Sequence, residues 1–350
     1  MISTVKKAIS LVVLMCFSVS FAQKTPEAIH IMTRFIADSP VTANSHAATL
    51  VEVKPNKLMA AWFGGKYEGA KDVGIYCATF KENKWSAPQK VVAPAIIQKD
   101  TLPCWNPVLF KSKSKCLYLF YKVGKNPREW VGAMITSKDD GDTWSIPQYL
   151  PKGILGPIKN KPIETKPGTI LCGSSTESVE NNQWRVHVES YNETNNTWQK
   201  IAVDNKKNFD IIQPTFLIHP NNKIQMLSRS KHNKLIASWS DDEGKNWTKT
   251  DSINVVNSNS GIDALTLPNH SFLLVNNPLP QGKDWFNGRN VLDVEYSKEG
   301  IIWKKIIDLE NQPEGEFSYP AIIQTFDKKI HVLYTYNRKY IKHVTFKLKP

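Results

Sequence analysis

The sequence predicts an all-β chain folded as a six-bladed β-propeller. Three observations predict it: a turn-plus-apolar-strand unit occurs six times, tryptophans recur at nearly the same period, and no linker divides the chain. The unit is Asn56-Lys57-Leu58-Met59-Ala60, then Lys115-Cys116-Leu117-Tyr118-Leu119, then Gly168-Thr169-Ile170-Leu171. It returns as Asn222-Lys223-Ile224-Gln225-Met226, His270-Ser271-Phe272-Leu273-Leu274 and Lys328-Lys329-Ile330-His331-Val332. The lead apolar residues Leu58, Leu117, Ile170, Ile224, Phe272 and Ile330 are spaced by 59, 53, 54, 48 and 58 residues. Such a period leaves room for four short strands with their turns, which is one blade.

Trp85, Trp144, Trp198, Trp247 and Trp303 each follow a polar turn. Ser137-Lys138-Asp139-Asp140-Gly141-Asp142-Thr143-Trp144 fits the pattern SxDxGxTW in full, and Ser240-Asp241-Asp242-Glu243-Gly244-Lys245-Asn246-Trp247 fits with Asn for Thr. Lys298-Glu299-Gly300-Ile301-Ile302-Trp303 is a decayed copy. Ser and Asp side chains bond turn backbone, Gly takes a positive φ and Trp packs into the blade. These carboxylates are therefore read as structural, not catalytic.

Before the repeats, residues 1–22 read as a secretory leader. Lys6 and Lys7 supply charge, residues 9–17 a short apolar stretch, and Ser20-Phe21-Ala22 small residues before a cut at Gln23. The apolar stretch is too short to span a bilayer. Leu14-Met15-Cys16 lacks the small residue expected before a lipidated cysteine. Residues 23–350 are expected to form one exported propeller domain, periplasmic or secreted, and a monomer. Of the cysteines, Cys77, Cys104, Cys116 and Cys172 lie beyond the leader, without metal-type spacing and without a specified pairing. Net charge is +13, which suits anionic partners. Outside the cell, anionic polysaccharide is a better candidate than nucleic acid. No nucleotide or metal-binding pattern occurs, so neither cofactor nor catalytic metal is expected.

Each repeat is preceded by another strand, expected to be the innermost of its blade. Counting back 9 to 12 residues from the apolar markers gives His46, Asn106, Lys161, Gln213, Gly261 and Tyr319. Inner-strand starts converge on the central channel of a propeller, so these six positions are expected to ring one site. Pro follows four of them: Pro107, Pro162, Pro214 and Pro320. Other candidates flank the channel. Glu68 and Asp72 lie on a Gly-rich loop, Lys122 and Trp130 follow the second blade's marked strand, and Trp130 is placed to stack on a sugar. Lys159 joins Lys161 in a cationic spot. Glu177, Arg185 and His187 sit in the third blade, with His187, between Val186 and Val188, a further catalytic candidate beside His46, Tyr319 and Asp72.

With two boxes at blade spacing, one full and one with Asn for Thr, the chain resembles the sialidase (neuraminidase) superfamily with Asp-box repeats, over nearly all of residues 23–350. That resemblance implies six blades, the number the repeats give independently, with the last blade closed by pairing the chain's two ends. It also implies three arginines gripping a substrate carboxylate, a Tyr nucleophile assisted by a Glu, and an Asp acid/base. The stretch from Asn276-Asn277-Pro278 through Arg289 to Tyr319 resembles the part holding the third arginine and the Tyr. The stretch from Gln213 to Arg229 resembles the part holding the assisting Glu and second arginine, and Asp72 is the match to the acid/base Asp.

Two departures stand out. His46-Ala47-Ala48-Thr49-Leu50 occupies the place of Arg-Ile-Pro-x-Leu, so the first arginine is a histidine. Gln213 occupies the place of the assisting Glu, and an amide cannot take a phenol proton. Arg229 and Arg289 keep half of the carboxylate grip while the hydrolytic pair is broken. This pattern favours elimination on a uronate, with cations on the C6 carboxylate and His46 and Tyr319 as base and acid. Propeller-shaped polysaccharide lyases use His and Tyr in this way, an analogy of fold alone. Asn106, Lys122, Lys161, Gln213, Glu68, Trp130 and Glu177 complete the expected substrate-binding set. A sialidase-type exo-glycosidase and a non-catalytic carbohydrate-binding propeller are the alternatives.

Overall fold

The computed structural model of the protein describes residues 25–205, 208–284 and 286–349. The expected leader, residues 1–22, lies outside the described residues.

Six antiparallel sheets follow one another around a common axis, and every apolar marker lies in or directly before the second strand of its sheet. Those second strands are Lys57–Gly65, Leu117–Val123, Thr169–Glu177, Ile224–Ser230, Phe272–Asn276 and Ile330–Tyr336. The corresponding inner strands are Asn44–Lys54, Cys104–Lys111, Ile163–Lys166, Ile211–Ile218, Asp263–Thr266 and Phe317–Gln324, in blades 1 to 6. Strand Glu27–Phe35 pairs antiparallel with Tyr340–Lys349 as the outer strand of blade 6. The first strand therefore completes the last sheet and joins the two ends of the chain in one blade. Second strands are buried on both faces, as Leu117–Val123 is at every residue, because adjacent blades cover them from either side. An apolar layer sits between each pair of blades, such as Leu171, Phe216 and Met226 between blades 3 and 4.

The box turns behave as the sequence implies. Ser137 Oγ bonds Asp139 and accepts the Gly141 N–H, and Asp139 accepts the Thr143 N–H at 2.8 Å. Ser240, Asp242, Gly244 and Asn246 repeat the same bonds. Gly141 and Gly244 both have φ +88°, where a Cβ would also strike Met59 or Leu171 of the neighbouring blade. The decayed copy keeps the plan with Ser297 holding Gly300 N–H. These hydrogen bonds hold Asp139 and Asp242 down to about 2, in Asp242 against an opposing effect of burial.

Four inner strands carry a bulge at one shared level. Ala47-Ala48, Asn106-Pro107, Gln213-Pro214 and Tyr319-Pro320 each oppose a single residue of the second strand. Ala47, Asn106, Gln213 and Tyr319 have φ of 55°, 39°, 56° and 54°. Such left-handed backbone costs a non-glycine residue about 1–3 kcal/mol, and a bulge re-aims a side chain off the regular pleat. In blade 1 the bulge residue is Ala47, so His46 sits one step earlier than Asn106, Gln213 and Tyr319. In blades 3 and 5, Lys161 and Gly261 come two residues before the inner strand begins. Cys77, Cys104, Cys116 and Cys172 are free thiols. Among the described residues no helix is long and apolar enough to cross a membrane.

Candidate active site

Strand direction alternates within a blade, so inner-strand starts and the loops between second and third strands share one face. The box turns, at the ends of the third strands, lie on the other. The candidate site is on the first face, centred on Tyr319.

The Tyr319 hydroxyl accepts N–H bonds from Arg229 Nη1 at 3.0 Å and from Gln213 Nε2 at 3.3 Å. Gln213 Oε1 in turn accepts Arg229 Nη1 at 3.3 Å, which fixes the amide so that its NH₂ faces the phenol. Among the described residues no carboxylate hydrogen-bonds this hydroxyl. Arg229 lies 5.6 Å from the Tyr319 ring centroid and 5.4 Å from that of Trp184. Gly261 backs the ring: a Cβ there would come within 3.3 Å of Tyr319.

His46 lies beside Tyr319, ring centroids 4.2 Å apart, and edge-on to Phe63. Only 1% of it is exposed, and neither ring nitrogen has a hydrogen-bond partner. Burial, followed by the charges of Arg338, Arg289, Arg229 and Lys159, holds its pKa well below the ordinary imidazole value. His46 is therefore neutral, tucked under Tyr319 rather than presented to a ligand.

A chain of ion pairs leads outward. Glu316 accepts Arg289 Nη1 at 3.2 Å and Arg338 Nε at 2.8 Å, and Arg338 Nη1 reaches Glu68. Arg289 also donates to the Asn259 carbonyl at 3.2 Å. Arg338, in the turn of the last hairpin, is absent from the set expected from sequence. It follows Tyr336-Asn337, and adjacent positive φ values at Asn337 and Arg338 make a tight turn that no residue pattern there announces. Below the ring, Lys159 Nζ donates to Asn160 Oδ1, the Ile262 carbonyl and the Pro320 carbonyl. Burial brings its pKa down to about 7. Lys161 binds Asp263 Oδ2 at 2.8 Å, which also accepts the Ile322 N–H. Lys161 thus ties blade 3 to blade 5 at the axis.

The remaining expected residues divide by place. Asp72 accepts the Lys66 N–H at 3.1 Å and braces the Gly-rich loop that carries Glu68. Asn106 is buried at its bulge, level with Gln213 and Tyr319. Glu177 faces Arg229; burial raises its carboxyl pKa and Arg229 opposes the shift. Three residues lie outside the cluster. His187 bonds Glu189 at 2.7 Å in a third strand, and Glu189 also caps the Leu155 and Gly156 amides. Lys122 is fully buried and donates to the Pro157 carbonyl, with burial lowering its pKa to about 7. Trp130 is 9% exposed and packs edge-on to Trp105 at 6.1 Å, so it has no open face for a sugar. All three sit where blade 2 meets blade 3 or its connecting loop. Among the described residues no group of three or more His, Cys, Asp or Glu side chains is arranged to hold a metal ion.

The arrangement resembles known folds. A protein of unknown function from Dyadobacter fermentans superposes with TM-score 0.74 at 14% identity, covering 93% of this chain and 99% of that one. The K499G mutant of the NanB sialidase from Streptococcus pneumoniae gives TM-score 0.68 at 12% identity, over 88% of this chain and 69% of that one. The intramolecular trans-sialidase from Ruminococcus gnavus gives 0.67 at 12%, over 90% and 96%. Comparison with curated protein sequences gives no match. The BNR repeat-like domain family matches residues 56–332, most of the chain, and the chain belongs to that family as a divergent member with the sialidase fold.

Proposed function

We propose that the protein is an exported carbohydrate-active enzyme that takes the acidic, non-reducing end of an anionic oligosaccharide and acts by elimination on a uronate. One observation carries this reading: the Tyr319 hydroxyl receives two N–H donors and no carboxylate. A Tyr nucleophile of the sialidase kind works with a carboxylate partner, and Gln213, an amide, stands in that partner's place. Two donors on the same oxygen instead support negative charge there, as a proton-transfer residue requires.

In the elimination, Arg229 and Arg289 bind the C6 carboxylate and stabilise the charge that spreads onto it as C5–H breaks. Tyr319, its hydroxyl proton first released to solvent and the phenolate oxygen then held by the N–H donors of Arg229 and Gln213, takes the C5 proton. The C5–H electron pair forms the C4=C5 bond, the C4–O4 bond breaks, and Tyr319 returns the proton to the departing O4. The buried, neutral His46 holds the phenol ring in place, so both proton transfers fall to Tyr319. The fold it shares with sialidases favours hydrolysis as the second reading, with Tyr319 as nucleophile.

The test is a continuous ultraviolet assay on the purified protein with oligosaccharides ending in glucuronate or iduronate, and separately with sialosides. Rising absorbance from a conjugated C4=C5 uronate is the expected outcome. Free sugar released from sialosides on a flat trace would establish hydrolysis and overturn the reading. Binding without any turnover would make the protein a carbohydrate-binding propeller.

A further inference from the structure

We infer that the cleft between blades 6 and 1 on the box face is a saccharide site separate from the one at Tyr319, with His331 as its fixed hydrogen-bond donor and a neutral sugar unit as its ligand. It lies on the face opposite Tyr319, so binding there is independent of the chemistry at that residue.

Elsewhere in the ring this position is filled. The residue directly after the apolar marker is Met59 in blade 1, Leu171 in blade 3 and Gln225 in blade 4, and each packs against the box glycine of the next blade: Gly141, Gly244 and Gly300. Gln225 Nε2 donates to the Gly300 carbonyl at 2.8 Å. In blade 6 the equivalent residue is His331. The next blade round is blade 1, which has no box: its third strand, Gly74–Lys81, turns through Glu82 and Asn83 straight into Lys84–Trp85. A cavity of about 520 Å³ is left where a box would sit, within the range of about 300–1,000 Å³ usual for small-molecule sites.

A hydrogen-bond chain sets the polarity of His331. An indole nitrogen only donates. Trp85 Nε1 donates to His343 Nδ1 at 3.2 Å, so the His343 proton is on Nε2, which donates to His331 Nδ1 at 3.0 Å. His331 therefore carries its own proton on Nε2. Among the described residues that N–H has no acceptor, and the 5% of His331 that is exposed opens on the cavity. Burial keeps both rings neutral, with the His331 pKa down to about 4 and that of His343 well below the ordinary imidazole value.

The lining selects the ligand. Each lysine on it already has a carboxylate: Lys54 with Asp140, Lys57 with Asp142, Lys81 with Glu82 and Lys329 with Asp327. Charge is balanced, so an anion gains little there. Donors and acceptors instead stand side by side, as suits hydroxyls that both give and take a hydrogen bond. Phe80 and Leu58 supply an apolar wall for the C–H face of a pyranose.

Saturation-transfer NMR titrations on the full chain test this, with methyl glucoside, methyl galactoside, methyl mannoside and N-acetylglucosamine as neutral probes and methyl glucuronide as the acidic one. At least one neutral probe is expected to bind with about millimolar affinity. His331→Leu is expected to weaken it about tenfold. His331→Gln, which supplies the donor that blade 4 uses at this position, is expected to keep it within a few-fold. Trp85→Phe, which removes the head of the hydrogen-bond chain without touching the cavity, stands in if His331→Leu unfolds, with an expected loss of a few-fold. Arg289→Gln, on the other face, is expected to change nothing. No transfer to any neutral probe, or unchanged binding in both His331→Leu and Trp85→Phe, overturns the inference, and a loss in His331→Gln as large as in His331→Leu overturns the donor role. Glucuronide bound alone and lost in His331→Leu makes the cleft an anion site and overturns the neutral ligand. Glucuronide bound alone and lost in Arg289→Gln belongs to the site at Tyr319, whose reading then stands while this one falls.

Discussion

The two faces of the propeller use the same polar residue types to opposite ends. On one face, Asp139 and Asp242 have their oxygens engaged by turn amides and hydroxyls. On the other, both nitrogens of His46, Arg229 Nε and Ser258 Oγ are buried without a hydrogen-bond partner, and three bulge residues with long side chains sit at positive φ. A buried polar group left unsatisfied costs about 1–3 kcal/mol. The box face thus spends its polarity on holding strands together, whereas the channel face gathers unmet hydrogen bonds around one tyrosine. Carboxylates in a motif are a poor guide to chemistry here. Unsatisfied groups around Tyr319 are a better one.

The largest expected effect breaks the channel face. Tyr319→Phe should lower turnover about 10²–10⁴-fold while glucuronide binding stays within a few-fold, read by the ultraviolet assay beside calorimetry. Arg229→Met should follow at about 10²-fold in kcat/KM, since it removes both a donor to Tyr319 and a cation for the carboxylate. Neither should lower the thermal midpoint much. Ser137→Ala, on the box face, should do the reverse. It leaves the Gly141 N–H without its acceptor and should cost about 1–3 kcal/mol of stability with turnover per folded molecule unchanged. If Ser137→Ala slowed the chemistry while Tyr319→Phe spared it, the contrast between the faces would collapse.

The smallest effect is a pH dependence of stability with two limbs, one from buried histidines and one from the box aspartates. Buried His46 and His343 have pKa values held well below 6.5, and His331 about 4. Below pH 6.5 the unfolded chain takes up protons that these rings refuse, so stability declines as pH falls from there. Asp139 and Asp242, at about 2 against 3.8, contribute stability above 3.8 that is lost as pH falls through 2. Thermal midpoints measured from pH 7 to pH 2.5 should show both limbs. His46→Phe should make the first shallower, since His331 and His343 remain, and leave the second.

The propeller, its six repeats, the box turns and the closing strand were all legible in the sequence. Each is a local pattern repeated at blade spacing, so an error in one repeat is corrected by the others. Tyr319 and Gln213 were placed together by the same logic, and the family resemblance added Arg229 and Arg289 to them. What escaped depends on unrepeated detail. The X-Pro pairs at Asn106, Gln213 and Tyr319 signalled a common backbone event, but not that it is a bulge, nor that blade 1 shifts it to Ala47 and turns His46 under the Tyr ring. His187 and Trp130 were drawn in by residue type, yet Glu189 and Trp105 satisfy them inside the blades. Arg338 was missed because a hairpin turn between Tyr336 and Tyr340 looks like any other, and only the closed ring brings it to Glu68.

That closure has a consequence for timing. Blade 6 supplies Tyr319, Glu316 and Arg338, yet its outer strand is Glu27–Phe35, from the other end of the chain. The site therefore cannot be completed until nearly the last residue has been made and the earliest strand is still available to receive it. Until then Tyr319 and Arg338 of blade 6 are not held against Arg229 of blade 4 and Arg289 of blade 5. Clipping either terminal strand should silence the enzyme as surely as losing Tyr319, without touching a residue of the site.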